Sequence, residues 1–178
     1  MRYLLLNRSI QIVVGIAALL GLGITVPPED HASHENCFII EGMHVEWTYE
    51  GHLLTFKLRS PYQGWLALGF NSNNTLPGSH RVNGQVVSSG PDLAEQYVLG
   101  FGDARPLTAL GAQNSVVDYH GDEDESGTSF EFTIDTSIRD EFHHDLRQGQ
   151  RIWLICAYGL SDDFSTPSIM QRHVEVEL

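Results

Sequence analysis

Apolar and polar residues alternate one for one along three well-separated stretches of this chain. Leu54, Phe56 and Leu58 alternate with Thr55, Lys57 and Arg59, and Phe130, Phe132 and Ile134 alternate with Glu131, Thr133 and Asp135. At the end, Val174, Val176 and Leu178 alternate with Glu175 and Glu177. A side-chain period of two sends one set into a core and the other to water, which describes half-buried β-strands. Two further runs, Trp65 to Phe70 and Ile152 to Ala157, are apolar on both parities and read as central strands covered on both faces. Turn residues at Glu50-Gly51, Asn83-Gly84, Ser89-Gly90-Pro91 and Gln148-Gly149 separate the runs. Short strands punctuated in this way predict a sandwich or barrel. No segment after residue 30 has sustained helical periodicity, although Arg139 to Leu146 is expected to form a short helical turn.

Residues 1–32 have a different character. Arg2 and Arg8 precede an apolar run from Ile10 to Val26, and Pro27-Pro28-Glu29-Asp30 ends it. A positive flank, an apolar stretch and a polar exit describe an export signal. The run is long for a signal core and slightly short for a membrane span, so a cleaved signal and a retained N-terminal membrane anchor both remain open. Either places the all-β domain, residues 36–178, outside the cytoplasm, whether secreted, periplasmic or membrane-anchored. In such a compartment Cys37 and Cys156 can form a disulfide; two separate thiols are the other reading. The formal net charge of −13 repels phosphate backbones and argues against a nucleic-acid partner, while it can steer a basic one. No Gly-x-Ser-x-Gly elbow, HExxH helix or phosphate-binding glycine loop is present, so no catalytic residue is assigned. The acidic tract Asp122 to Glu125 lacks the ligand spacing of a calcium loop and reads as a solvated tip.

Several segments, taken in order, carry a resemblance. Trp47 lies in an early strand, and Gly64-Trp65-Leu66-Ala67-Leu68-Gly69-Phe70-Asn71 forms an aromatic-rich strand ending in Gly-Phe before a loop. Gln96-Tyr97, Gly100-Phe101-Gly102, Pro106, Gln113-Asn114 and Phe130 to Thr136 follow, then Ile152 to Gly159 and Gln171-Arg172-His173. From about residue 40 onward the chain resembles the DOMON domains, the family of the dopamine β-monooxygenase N-terminal domain and of cytochrome-type haem- or sugar-binding modules. That resemblance implies an immunoglobulin-like antiparallel β-sandwich. It also implies a ligand pocket at one face of the sandwich, holding b-type haem in the cytochrome-type members, and a partner redox protein. In those members a methionine after the Gly-Phe strand and a histidine near the C-terminus hold the iron. His173 matches the histidine; the methionine position falls on Leu76, which offers no donor.

His80, four residues beyond Leu76 in the same loop, is the candidate second iron ligand beside His173, because neutral imidazole binds haem iron well. Parity with Glu175 and Glu177 aims His173 at the outer side of its sheet. Trp65, Tyr97 and Tyr158 are the aromatic candidates for lining a haem or stacking on a sugar ring, with Trp47 beside them. Asn71, Asn73, Asn74 and Ser79 give the loop its hydrogen-bonding groups. His143-His144-Asp145 could hold a surface metal, but adjacent residues on a strand point to opposite sides, and the triplet is expected to face solvent. The leading expectation is an exported haem-binding module for electron transfer or redox sensing. The alternatives are a haem-free domain recognising a sugar or other small ligand, and a structural accessory domain.

Overall fold

The computed structural model describes residues 36–178; the expected export signal or anchor at 1–32 lies outside the described residues. The strands are β1 (Cys37–Ile40), β2 (Met43–Glu50), β3 (Leu53–Arg59), β4 (Leu66–Asn71), β5 (His80–Val87) and β6 (Gly90–Gly100). They continue with β7 (Asp103–Pro106), β8 (Val116–Asp124), β9 (Gly127–Asp135), β10 (Arg151–Tyr158) and β11 (Met170–Glu177). All pairs are antiparallel, in one sheet ordered β1-β2-β3-β9-β8 and a second ordered β11-β10-β4-β5-β6-β7. The result is the expected all-β, two-sheet antiparallel sandwich. A short 3₁₀ turn at Leu107–Leu110 follows β7.

The two continuous apolar runs became β4 and β10, which pair with each other in the middle of the larger sheet. Every residue of β4 is buried, as expected of a strand with cover on both faces. On the inner face, Phe56 of β3 ties the layers together. Its ring lies 5.6 Å from Phe132 within its own sheet and 5.3 Å from Phe70 of the facing sheet. Tilted and offset aromatic pairs of this kind add to the stabilisation from burial alone.

Three expectations are corrected. Asn83-Gly84 does not break the chain but lies inside β5. Gly84 is there because the Phe130 ring of the opposite sheet presses against it; a Cβ at Gly84 would sit 2.5 Å from that ring, and one at Gly121 of β8 would sit 2.7 Å from it. A glycine in a strand often marks such a close approach. Residues 139–146 form no helix; the whole 136–150 connection is irregular. Cys37 and Cys156 are not joined as a disulfide. Cys156 points into the core, with no exposed surface, whereas Cys37 is exposed and Phe38 beside it turns toward the core. Alternation therefore aims the Cys37 side chain away from the interior that holds Cys156.

Gly84→Ala is expected to lower stability by about 1–3 kcal/mol, the usual penalty for overpacking a filled core. Urea unfolding checks this: the midpoint should fall with little change in slope, and an unchanged midpoint would show that the ring gives way freely.

Candidate functional site

The larger sheet offers two faces, and register decides which residues reach each. His80 pairs with Phe70, Phe70 with Leu154, and Leu154 with Val174. Residues directly opposite in a sheet share a face, so His80 and Val174 point the same way, into the sandwich. His173, the neighbour of Val174, points out. The expected pairing of His80 with His173 around one haem is therefore not formed: the two imidazoles lie on opposite faces of one sheet. His80 has no exposed surface, packs on Phe70, and hydrogen-bonds the Glu95 carboxylate at 2.8 Å.

His173 and Leu76 do come together. Both border a hollow of about 350 Å³ on the outer face, with Pro77, Phe101 and Gln171 among the other walls. Phe101, in the β6–β7 turn, is 85% exposed, the bare aromatic rim of this hollow. The loop bearing Leu76 is held by Asn71, whose Nδ2 donates to the Thr75 carbonyl at 2.7 Å and the Pro77 carbonyl at 3.1 Å. Gly78 N donates to Val98 O at 2.7 Å and fixes its far end. The His173 Nδ1–H donates to Asn74 Oδ1 at 2.7 Å. Burial holds the His173 pKa below its ordinary value, since desolvation disfavours the charged ring. The neutral ring is thus favoured; its Nε2 accepts a long contact from Gln171 Nε2 at 3.4 Å, and the Asn74 bond at Nδ1 is of the kind that orients ligating histidines.

A second hollow of about 320 Å³ on the same face shares Leu76 and is lined by Arg81, Gln96, Val98, Phe164 and Ser165. Arg81 Nη2 donates to Gln96 Oε1 at 2.7 Å, while its buried Nε has no hydrogen-bond partner. Among the described residues no carboxylate forms an ion pair with Arg81. A guanidinium stays charged under any physiological condition, and this one shares its hollow with the Asp103 carboxylate, which is paired with Arg105.

The aromatic candidates divide. Trp65 packs on the outer face with Ala67, Ala157 and Phe164, and its Nε1 donates to Thr166 Oγ1 at 3.0 Å; it supports the hollow through Phe164. Tyr97 faces inward against Phe142. Tyr158 is in the core with its hydroxyl donated to Glu41 O at 2.8 Å, and Trp47 is a core residue. These three do not line the outer hollow, because their strand parity faces the other sheet.

The inner face holds a polar cluster that single-residue reading missed. Glu95 of β6 is buried, and its carboxylate accepts hydrogen bonds from Ser115 N at 2.9 and 3.0 Å, Ser115 Oγ at 2.6 Å, Val116 N at 3.1 Å and His80 Nε2. His143 was expected in solvent; its side chain is only 4% exposed and its Nδ1–H donates to Asp140 Oδ1 at 2.7 Å. His144 turns the other way and donates Nε2–H to Gly78 O at 2.9 Å. Burial opposes ionisation of Glu95, but hydrogen bonds from His80 and Ser115, with the His143 ring close by, win and hold its carboxyl far below the ordinary range. The signal available in the sequence was the polar Glu95 sharing parity with apolar Leu93 and with Tyr97 along β6.

No protein-family description matches the chain, and no curated protein matches it. Among solved structures, the cytochrome b domain of pyranose dehydrogenase from Coprinopsis cinerea superposes with a TM-score of 0.57 at 7% identity, covering 79% of this chain and 80% of that one. The two share a fold. At that identity the likeness speaks for the sandwich and not for the chemistry of its site.

Replacing Glu95 by Gln breaks a buried, hydrogen-bonded ionic group and should cost about 3–5 kcal/mol. A carboxyl with a depressed folded pKa contributes stability that is fully present above its unfolded value, 4.5, and is lost as pH falls through the folded value. The stability gap between wild type and Glu95→Gln should therefore be widest above pH 4.5 and shrink below it. Urea unfolding across pH 3 to 7 checks this; a gap independent of pH would contradict the assignment of charge to Glu95.

Proposed function

We propose that the protein is an exported ligand-binding module of the DOMON type that carries a b-type haem in the outer-face hollow, with His173 as its one protein ligand to iron. The observation that carries this reading is the shared hollow of His173 and Leu76, the two positions that the family resemblance assigns to the iron ligands. Three features fit the group. The hollow has apolar walls for a macrocycle. Asn74 holds the His173 Nδ1, and among the described residues only the 3.4 Å Gln171 contact meets the Nε2 that would bind. Arg81, beside the adjoining hollow, provides a cation for an acidic edge group. Leu76 does not fit the family's second ligand, so His173 would be the residue of this chain that holds the iron, as in other proteins with a single proximal histidine. When bound, the haem supplies one-electron chemistry, and the protein positions and tunes it. The acidic surface, with a net charge of −13, suits a partner redox protein with a basic face.

A haem-free recognition domain is the second reading, favoured by Leu76 and by the polar Arg81–Gln96 hollow, which suits a small anionic or hydroxyl-rich ligand.

Titration of the purified protein with hemin separates these readings. A 1:1 complex with a sharpened Soret band and a high-spin visible spectrum is expected. His173→Ala should abolish it, and Leu76→Met should convert the spectrum toward low spin by adding a donor. Spectra indistinguishable from free hemin would remove the haem reading and leave the recognition domain.

A further inference from the structure

Residues far apart in the sequence bring two imidazoles and a carboxylate to one point on the inner side of the sandwich. One ligand atom from each of His80, Glu95 and His143 lies within 4.8 Å of the others. Glu95 Oε1 stands 2.8 Å from His80 Nε2 and 3.8 Å from His143 Nε2, and the three side chains are 0%, 1% and 4% exposed in the order Glu95, His80, His143. His143 Nε2 is buried and aimed at Glu95, yet it makes no hydrogen bond. Most buried polar groups find a partner, and here both His143 Nε2 and His80 Nδ1 lack one.

We propose that His80, Glu95 and His143 form a binding site for a single divalent transition-metal ion of the zinc type, independent of the outer-face hollow. The donor set of two imidazoles and one carboxylate suits such ions. Zinc–nitrogen and zinc–oxygen bonds of about 2.0–2.2 Å place neighbouring ligand atoms roughly 3.3–3.5 Å apart in a tetrahedral site. The two separations from Glu95, 2.8 and 3.8 Å, straddle that spacing, and the imidazole nitrogens lie within 4.8 Å of each other. The supporting contacts are those of a built site. Asp140 takes the Nδ1–H of His143 and turns its Nε2 inward, and Ser115 and Val116 fix the Glu95 carboxylate. Such outer contacts orient ligands and raise their affinity.

Charge points the same way. Glu95 and Asp140 place two carboxylates beside His143, a negative environment that suits a divalent cation. His144 is committed to the Gly78 carbonyl, so the fourth position belongs to water or to a small ligand. The ion would pin the 136–150 connection to β5 and β6, a structural clip whose binding energy adds to folding.

The test uses the full chain, stripped with a chelator and kept free of haem, so that its outcome is separate from that of the outer-face site. Calorimetric titration with zinc chloride should give one ion per chain, and cobalt(II) should give the visible absorption of a tetrahedral nitrogen–oxygen site. His143→Gln should abolish both. Asp140→Asn, a change in a partly exposed outer residue, should weaken zinc binding about 10–100-fold; it keeps the proposal testable if the first variant misfolds, which circular dichroism in chelator reports. His44→Gln and His120→Gln, on the opposite sheet, should leave binding unchanged. Failure of the wild type to take up one ion would overturn the proposal. So would binding that survives both His143→Gln and Asp140→Asn, or that is lost with His44 or His120.

Discussion

Strict alternation along the β5–β4–β10–β11 ladder governs what this protein can do. Pairing fixes His80, Phe70, Leu154 and Val174 on the inner face, and a one-residue slip would exchange every side chain between core and surface. Slippage is opposed by the inner face itself, where Phe70 and Leu154 are fully buried. The same constraint puts His173, Arg81 and Gln96 outside and Glu95 inside. The larger sheet thus separates two polar environments, one open to ligand and one sealed in the sandwich.

The two environments are joined through one irregular segment. In the 136–150 connection, His143 turns inward to Asp140 and Glu95, and His144 beside it donates to Gly78 at the end of the loop that carries Asn74 and Leu76. Neutral His144, whose pKa burial keeps below its ordinary value, suits its contact with a carbonyl, where a single N–H is enough.

Much of the sandwich was legible because it rests on local pattern. The apolar runs at Trp65 to Phe70 and Ile152 to Ala157 announced the paired central strands, and the parity of His173 with Glu175 and Glu177 announced its outward aim. What failed depended on contacts across the fold. Gly84 carried a turn signal that the Phe130 ring overrides. His80 read as a loop ligand because nothing local shows that it opens β5 with its side chain inward. Glu95 and His143 are separated by about a third of the domain, and only the closing of the sandwich brings them together. Tyr97 and Tyr158 have the composition of ligand-stacking residues, yet parity commits both to the interior.

The proposed haem site depends on His173, the one imidazole among the described residues that lines the outer hollow. Electron paramagnetic resonance of the ferric, haem-loaded protein tests it most directly. A high-spin axial signal, lost in His173→Ala and untouched in a folded His80 variant, is the predicted result. A low-spin signal of two imidazole ligands that disappears on replacing His80 would contradict it, because it would require both faces of one sheet to meet at a single iron.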